Sequence, residues 1–246
     1  MLTFAIKISA AMHVFNSIVK AIGIITKKIH GRSGEYYSWT QGKIFYKVSG
    51  HGTPVVVVHG FRPDDCGAKM MTTADSLALE HTVYNIDLLG FGQSEKPWIT
   101  YTNYIYVLLL RDFIKNIIGE KADVVACEGS CLSVLQAKSI YPDLIGKVTL
   151  IDPCRKESII CPKHSALRIK SFIDLPICGT FLYNLYSIAS GAPLDSDARH
   201  VFVSRLTGHL STDISNYKKL ITSDVIIKEE KKIPTLSKDD LYSSEA

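Results

Sequence analysis

Short apolar runs separated by amphipathic segments dominate the middle of the chain. Val55–Val58 is a continuous β-branched run, the pattern of a strand buried on both faces. Between such runs, apolar residues recur at helical spacing. The pattern predicts strands at 43–48, 55–58, 82–86, 123–126 and 148–151, and helices at 67–80, 103–118 and 130–140. Strands alternating with helices of this length indicate an α/β fold, a mostly parallel sheet with helices on both faces.

An apolar segment interrupted by polar residues precedes this pattern. Between residues 1 and 29, apolar residues recur at helical spacing around Lys7, His13, Asn16 and Lys20. These interruptions disfavour a simple spanning helix, which needs about 20 mostly apolar residues. Three interpretations stay open: a helix lying on or anchored in a membrane, a targeting segment, and a helix packed on the domain.

Basic charge is concentrated in the same segment. Five of the 28 Lys and Arg residues lie within residues 1–34, which hold no acidic residue, leaving 23 against 24 Asp and Glu. If the segment is an anchor, Lys27, Lys28 and Arg32 favour the cytoplasmic side of an anionic membrane. Because the remaining chain is nearly neutral and has no basic stripe, nucleic-acid binding is not expected.

Composition divides the chain into three parts. We expect an apolar, basic leader at 1–34, a domain at 35–223 with a small helical cap at about 156–210, and a charged, solvated tail at 224–246. The six cysteines show neither zinc-like spacing nor a dense framework, and indicate buried thiols in a reducing compartment. No cofactor motif and no metal-ligand cluster is visible, so neither is expected. The localisation predicted is cytoplasmic, or at a membrane through residues 1–30.

Four motifs occur in order along the predicted strands and helices. They are Val58–Phe61 (VHGF), Asp87–Ser94 (DLLGFGQS), Tyr141–Asp143 (YPD) and Leu150–Pro153 (LIDP). Over residues 36–155 the chain therefore resembles the α/β-hydrolase family of esterase- and lipase-like enzymes. The motifs resemble its HG turn, its D-x-x-G-x-G-x-S loop, the end of its nucleophile helix and the following strand. Such a resemblance implies a fold more directly than an activity.

The nucleophile turn of that family should lie within residues 125–133, where no G-x-S-x-G is present. Counting back without gaps from Tyr141 and Asp152 places Glu128 at the nucleophile position, which would exclude ordinary serine hydrolysis. A shift of two residues places Ser130 there instead, but the turn then lacks its flanking glycines. Both registers stay open. Ser130 is the candidate serine nucleophile, and its alternative role is to cap the following helix.

The resemblance also implies the partners of a nucleophile. Asp152 is the candidate acid, with a turn aspartate as its alternative role. The backbone N–H groups of Phe61 and Cys131 are the candidate oxyanion donors, and His59 is expected to be structural. No histidine follows His209, which is therefore the candidate base. The histidines in the expected cap are His164, His200 and His209.

Three functions are compatible with these features. The first is a hydrolase of ester-like or other small hydrophobic acyl substrates, with Ser130 attacking. The second is a catalytically inactive hydrolase-fold protein that binds a ligand or a partner. The third is a shortened version of an active hydrolase, which the charged sequence after Ser223 suggests.

Overall fold

Seven strands form one mixed sheet. The computed structural model describes residues 2–29, 32–62, 64–154, 171–173, 175–190, 194–207, 209–210 and 213–229. The strands are β1 (Glu35–Trp39), β2 (Gly42–Ser49), β3 (Thr53–Val58), β4 (His81–Ile86), β5 (Ala122–Cys127), β6 (Ile145–Ile151) and β7 (Val225–Lys228). Their order is β1-β2-β4-β3-β5-β6-β7. The pairs β1–β2 and β2–β4 are antiparallel and all other pairs are parallel, which confirms the predicted mostly parallel sheet.

Helices cover the sheet and continue into the cap region. They are α1 (Leu2–Ile29), α2 (Met71–Leu77), α3 (Asn103–Phe113), α4 (Cys131–Ile140), α5 (Cys178–Ser190) and α6 (Arg199–Leu206). The three helices predicted in the body are confirmed as α2, α3 and α4, although α2 is shorter than expected. A π-helical turn at Ile114–Ile118 extends α3, and Gly119 ends it at a φ of 78°.

The sheet extends further along the chain than the sequence predicted. The β7 strand pairs in parallel with β6, where Val148 lies opposite Val225. The Asp152 N–H donates to the Lys228 carbonyl at 2.9 Å. The expectation of a solvated tail from residue 224 is therefore wrong for this segment. Four residues that are alternately half-buried and exposed give too short a pattern to distinguish a strand from a tail.

Other expectations fall outside the described residues. These are the tail from residue 230 onward, and the stretch of the expected cap at 155–170 that contains His164. Within the described part of the cap region, α5 and α6 are helical, as expected. The cap boundaries stay predictions.

The central strands bury both of their faces. Val56 and Val58 of β3 pack into the larger core with residues of α3 and α4, while Val55 and Val57 face a smaller core. This arrangement explains the continuous apolar run of β3, since neither face can be polar. The carboxyl ends of β3, β4, β5 and β6 meet at one edge of the sheet, where ligands bind in folds of this kind.

The long helix α1 contacts α5 but leaves most of its surface exposed. The rings of Phe15 and Phe181 meet edge-on at 5.1 Å, and Asn16 Nδ2 donates to the Ile177 carbonyl at 3.0 Å. An 18-residue window within Phe4–Thr26 has a mean hydropathy of 1.6, and only 6% of that window is buried. By length and composition alone, this helix could cross a membrane. The contact with the domain is observed, whereas a membrane or targeting role stays a prediction.

A buried aspartate organises the loop after β4. Asp87 accepts hydrogen bonds from the N–H groups of Gly67 at 2.6 Å and Gln93 at 2.8 Å. Arg32 Nη2 contacts both of its carboxylate oxygens at 2.5 Å. At Gly92, where φ is 48°, an added Cβ would lie 2.2 Å from Asp87 Oδ2, so only glycine fits. The D-x-x-G-x-G-x-S motif is thus a packing device that shapes the edge of the site.

We expect Asp87→Ala to lower the free energy of unfolding by about 3–5 kcal/mol, because the change leaves a largely buried guanidinium and two N–H groups without their acceptor. Urea denaturation monitored by circular dichroism measures the effect. Asp143→Ala, in an exposed turn, is the matched control and should change stability by less than about 0.5 kcal/mol. A loss at Asp87 no larger than at Asp143 would contradict this role.

Candidate functional site

The turn between β5 and α4 carries a glutamate at its apex. Glu128 has a φ of +47° and is one of two non-glycine residues with positive φ in the described part of the chain. It opens the 3-10 turn Glu128–Ser130 that leads into α4. Positive φ costs an L-residue roughly 1–2 kcal/mol, and a strained strand-to-helix turn of this kind holds the nucleophile in α/β hydrolases. The backbone therefore favours the gap-free register, with Glu128 where a nucleophile would stand.

Ser130 lies two residues further on and faces inward. The residue is 1% exposed, and its hydroxyl donates to the Cys127 carbonyl at 3.0 Å. It occupies the N-cap position of α4 but its side chain makes no capping hydrogen bond. It does not line the cavity in front of the turn. A nucleophilic role for Ser130 stays a prediction, and it would require the hydroxyl to leave this hydrogen bond.

A cavity of about 180 Å³ opens in front of Glu128. Its walls come from the HG turn after β3, the segment leading into α2, and the ends of β5 and β6. They are formed by His59, Gly60, Arg62, Asp65, Lys69, Met70, Thr73, Cys127, Glu128 and Ile151. The cavity lies at the carboxyl edge of the parallel strands, the usual ligand-binding position of open α/β sheets. We call the turn Glu128–Ser130 the elbow and the cavity in front of it the elbow cavity.

Charged groups of both signs surround Glu128. Arg62 Nη1 lies 3.2 Å from Glu128 Oε1, and the Arg62 backbone N–H donates to Asp65 Oδ2 at 2.7 Å. Lys69 Nζ lies 3.2 Å from Asp65 Oδ1. Burial raises the pKa of Glu128 above its usual range and the charge of Asp65 adds to this, while Arg62 opposes it. A partly dehydrated carboxylate in a cleft is a common feature of functional sites.

The nearby His59 is structural, as expected from the sequence. It is 1% exposed, its Nδ1 lies 2.7 Å from the Gly60 carbonyl, and the Leu88 N–H donates to its Nε2 at 3.0 Å. Because Nε2 accepts this hydrogen bond, the proton of the neutral ring sits on Nδ1. Burial lowers the pKa of His59. Both ring nitrogens are engaged, and the ring fixes the HG turn against the loop after β4.

None of the three residues proposed as a triad is among the described residues that line the elbow cavity. Asp152 follows β6 at a φ of 45° and is held by its N–H bond to Lys228. His209 lines a second cavity of about 210 Å³, together with Trp98 and His200. Neither Asp152 nor His209 lines the elbow cavity. Their catalytic roles stay predictions that this geometry does not support.

The oxyanion candidates differ in their placement. Gly60, which precedes Phe61, packs so closely on the elbow that an added Cβ would lie 3.3 Å from the Glu128 Cβ. The HG turn and the elbow are therefore adjacent, as a donor role for Phe61 requires. Cys131 is buried within α4, and desolvation raises the pKa of its thiol well above the usual range. With Glu128 at the apex, Gly129 rather than Cys131 follows the nucleophile position.

Sequence reasoning missed Arg62, Asp65 and Lys69. The available signal was a group of charges directly after the HG motif, at the carboxyl end of a buried strand. Among the described residues, no group of three or more His, Cys, Asp and Glu side chains is arranged to hold a metal ion.

The sheet order, the HG turn, the Asp87 loop and the strained elbow together define the α/β-hydrolase fold. Solved structures agree. An α/β-hydrolase-fold protein from Burkholderia ambifaria has a TM-score of 0.61 at 19% identity, covering 79% of this chain and 78% of that one. The epoxide hydrolase CorEH has a TM-score of 0.57 at 19% identity, with 80% and 81% coverage. Identities this low show the fold and not the activity.

Sequence relatives cover a smaller part of the chain. The 2-hydroxy-6-oxo-6-(2'-aminophenyl)hexa-2,4-dienoic acid hydrolase of Metapseudomonas resinovorans is 30% identical over 112 residues, 43% of this chain and 37% of that protein. An uncharacterized protein of Mycobacterium tuberculosis is 26% identical over 106 residues, 43% of this chain and 30% of that protein. The match thus spans about a third of these relatives' length. No family model matches the chain.

We expect Glu128→Gly to be more stable than Glu128→Ala by about 1 kcal/mol, because only glycine adopts positive φ without strain. Both variants remove the carboxylate, so their difference isolates the backbone. Chemical denaturation of the two variants measures it. At ordinary helix or strand positions glycine is the less stable of the two by about 0.5–1 kcal/mol, and that order here would show that the elbow is unstrained.

Proposed function

We propose that this hydrolase-fold chain binds a small polar ligand in the elbow cavity and does not hydrolyse acyl substrates through a serine. The observation that carries the proposal is Glu128 at the apex of the strained turn. A carboxylate stands where acyl transfer by the serine mechanism needs a hydroxyl.

The surroundings of the elbow support binding over serine catalysis. Serine hydrolysis needs a hydroxyl, a base and an orienting acid that act as a unit. The Ser130 hydroxyl is bonded to its own turn, and His209 lines a different cavity. His59 is the one histidine that lines the elbow cavity in the described chain, and its ring nitrogens are already engaged.

The lining favours a polar ligand over the hydrophobic acyl substrate expected from the sequence. Glu128 offers a carboxylate, and Arg62 and Lys69 offer cations on the adjoining wall. Arg62 and Glu128 are about half and one third exposed, so a ligand can replace their mutual contact. A molecule of amino-acid size with one cationic and one anionic group would pair with both, with charge-assisted hydrogen bonds.

A second candidate function is hydrolysis with Glu128 itself as the nucleophile. Its carboxylate reaches the cavity with 31% of the side chain exposed. Carboxylates form covalent ester intermediates in other enzyme classes. A Glu128 oxygen would attack an electrophilic carbon, the leaving group would depart with the bonding electrons, and water would then cleave the ester. A hydrolase among the sequence relatives favours this candidate. The described lining residues include no histidine with an unengaged ring nitrogen, which predicts slow ester cleavage.

We expect no labelling of the purified full chain by a fluorophosphonate probe, since such probes need an activated serine. An active serine hydrolase treated in parallel is the positive control, and circular dichroism verifies folding. Labelling that Ser130→Ala abolishes and Glu128→Gln leaves intact would overturn the proposal and restore Ser130 as nucleophile.

For the second candidate, intact-mass spectrometry after incubation with epoxide and ester substrates should detect an adduct that Glu128→Gln removes.

A panel of amino acids and related zwitterions should raise the thermal unfolding midpoint of the wild-type chain. Ligand at about 100 times its dissociation constant stabilises by about 2.7 kcal/mol. Glu128→Gln and Arg62→Gln should each reduce the shift, because each removes one of the paired charges. Lys121→Gln, on the exposed turn before β5, is the matched control. Equal shifts in the control and the site variants would place binding elsewhere.

A further inference from the structure

Helices α1 and α5 form a parallel pair. The sulfur atoms of Met12 and Cys178 lie 3.9 Å apart, and Phe15 meets Phe181 further along. Asn184 Nδ2 donates to Asn16 Oδ1 at 3.0 Å. Residues further along α1 contact residues further along α5, so the two helices run in the same direction.

Helical periodicity then identifies which exposed residues share a side of this pair. With 100° between successive residues, the α1 residues that contact α5, which are Met12, Phe15 and Asn16, share one side of the helix with the buried Val19. One flank of this contact holds exposed apolar side chains along the helix, interrupted by the exposed Lys7 near its start. They are Val14, Ile18, Ile22 and Ile25, each at least 45% exposed, with Phe4 near the start.

On α5 the flank on the same side is also apolar. Both helices are right-handed and run in the same direction, so the side of the pair that holds Ile18 on α1 holds Leu182 and Leu185 on α5. Their side chains are 45% and 42% exposed. The other flank of α5 is buried in the cap through Tyr183 and Ser187. The exposed apolar flanks of the two helices therefore form one continuous surface that faces away from the domain. We call it the α1–α5 face.

The charged residues of the two helices are all basic. Residues 1–34 contain five basic and no acidic residues, and α5 contains no charged residue. The opposite flank of α1 holds His13, Ser17 and Lys20 together with the exposed Ile24, and Lys20 Nζ lies 3.8 Å from Asp197 Oδ1. An apolar face that carries Lys7 near one end, on two helices without an acidic residue, matches the apolar interior and anionic headgroups of a membrane. A second copy of the chain would instead bring two basic segments together.

We propose that the α1–α5 face lies on an anionic lipid bilayer, with α1 in the plane of the membrane and α5 contributing to the contact. The pair of Asn16 and Asn184 ties α1 to a helix that is itself packed on the cap. A spanning α1 would have to break these contacts and place Asn16 and Lys20 in hydrocarbon, which is costly. Lying in the interface keeps the polar contacts and buries only the apolar flank.

Co-sedimentation of the purified full chain with vesicles tests the proposal. We expect binding to vesicles of phosphatidylcholine with phosphatidylglycerol, and about tenfold weaker binding to phosphatidylcholine alone, since the lysines attract anionic lipid. Ile18→Glu and Leu185→Glu should each weaken binding by about tenfold or more. Ile24→Glu is the matched control, because Ile24 is 59% exposed on the same helix but lies on the opposite flank. It should bind like the wild type.

Other occupants of the face give different results. If α1 spans the bilayer, Ile24→Glu weakens association as much as Ile18→Glu does and Leu185→Glu has no effect, which overturns the proposal. If a second copy covers the face, light scattering without lipid shows a dimer that Ile18→Glu dissociates, which also overturns it. Circular dichroism and thermal unfolding verify that the variants are folded, which is expected because all three positions are exposed.

Discussion

The backbone of Glu128 is the constraint on which the candidate site depends. Positive φ at a residue with a side chain persists only where the surroundings fix both ends of the turn. Here β5 is paired with β3 and, from Val124 to Cys127, regularly with β6, and α4 is buried along most of its length. These contacts determine where the strand ends and where the helix begins, so the intervening residues have little freedom. The fold therefore holds whichever side chain stands at position 128 out toward the elbow cavity.

The same geometry determines which chemistry the site can support. A serine at the apex would need a base within hydrogen-bonding reach, whereas Glu128 needs a counterion, and Arg62 supplies one at 3.2 Å. Asp65 holds the Arg62 backbone and lies beside Lys69, so the charges form a connected group. Because partial burial and Asp65 favour the protonated form of Glu128 while Arg62 favours the ionised form, a ligand that displaces Arg62 changes this balance. The site is electrostatically suited to recognising charge.

Among the strands, the sequence predicted those that are buried and missed the two that are largely exposed. The central strands β3 and β5 are recognisable because both faces must be apolar, and Asp87 and Gly92 are recognisable because a buried carboxylate excludes any side chain at the glycine. The edge strands β1 and β7 are too exposed to give such a pattern. The register at the elbow was ambiguous because composition does not reveal φ. The positive φ of Glu128 distinguishes the two alternatives. The positions of Arg62 and Lys69 depend on the conformation of the loop after β3, which the periodicity of apolar residues does not predict.

The α1–α5 face and the elbow cavity are connected through α6 and the HG turn. Tyr183 of α5 packs on Phe202 of α6 at 5.7 Å between ring centroids, and Arg205 of α6 donates to the Phe61 carbonyl in the HG turn at 3.1 Å. These contacts lie on the buried side of α5, opposite Leu182 and Leu185. Lipid contact with the exposed flank of α5 would preserve the Tyr183–Phe202 and Arg205–Phe61 contacts, because lipid binding requires no change in how α5 packs on α6. Substitutions on that flank should therefore alter membrane association without altering the site, and substitutions around Glu128 should do the reverse.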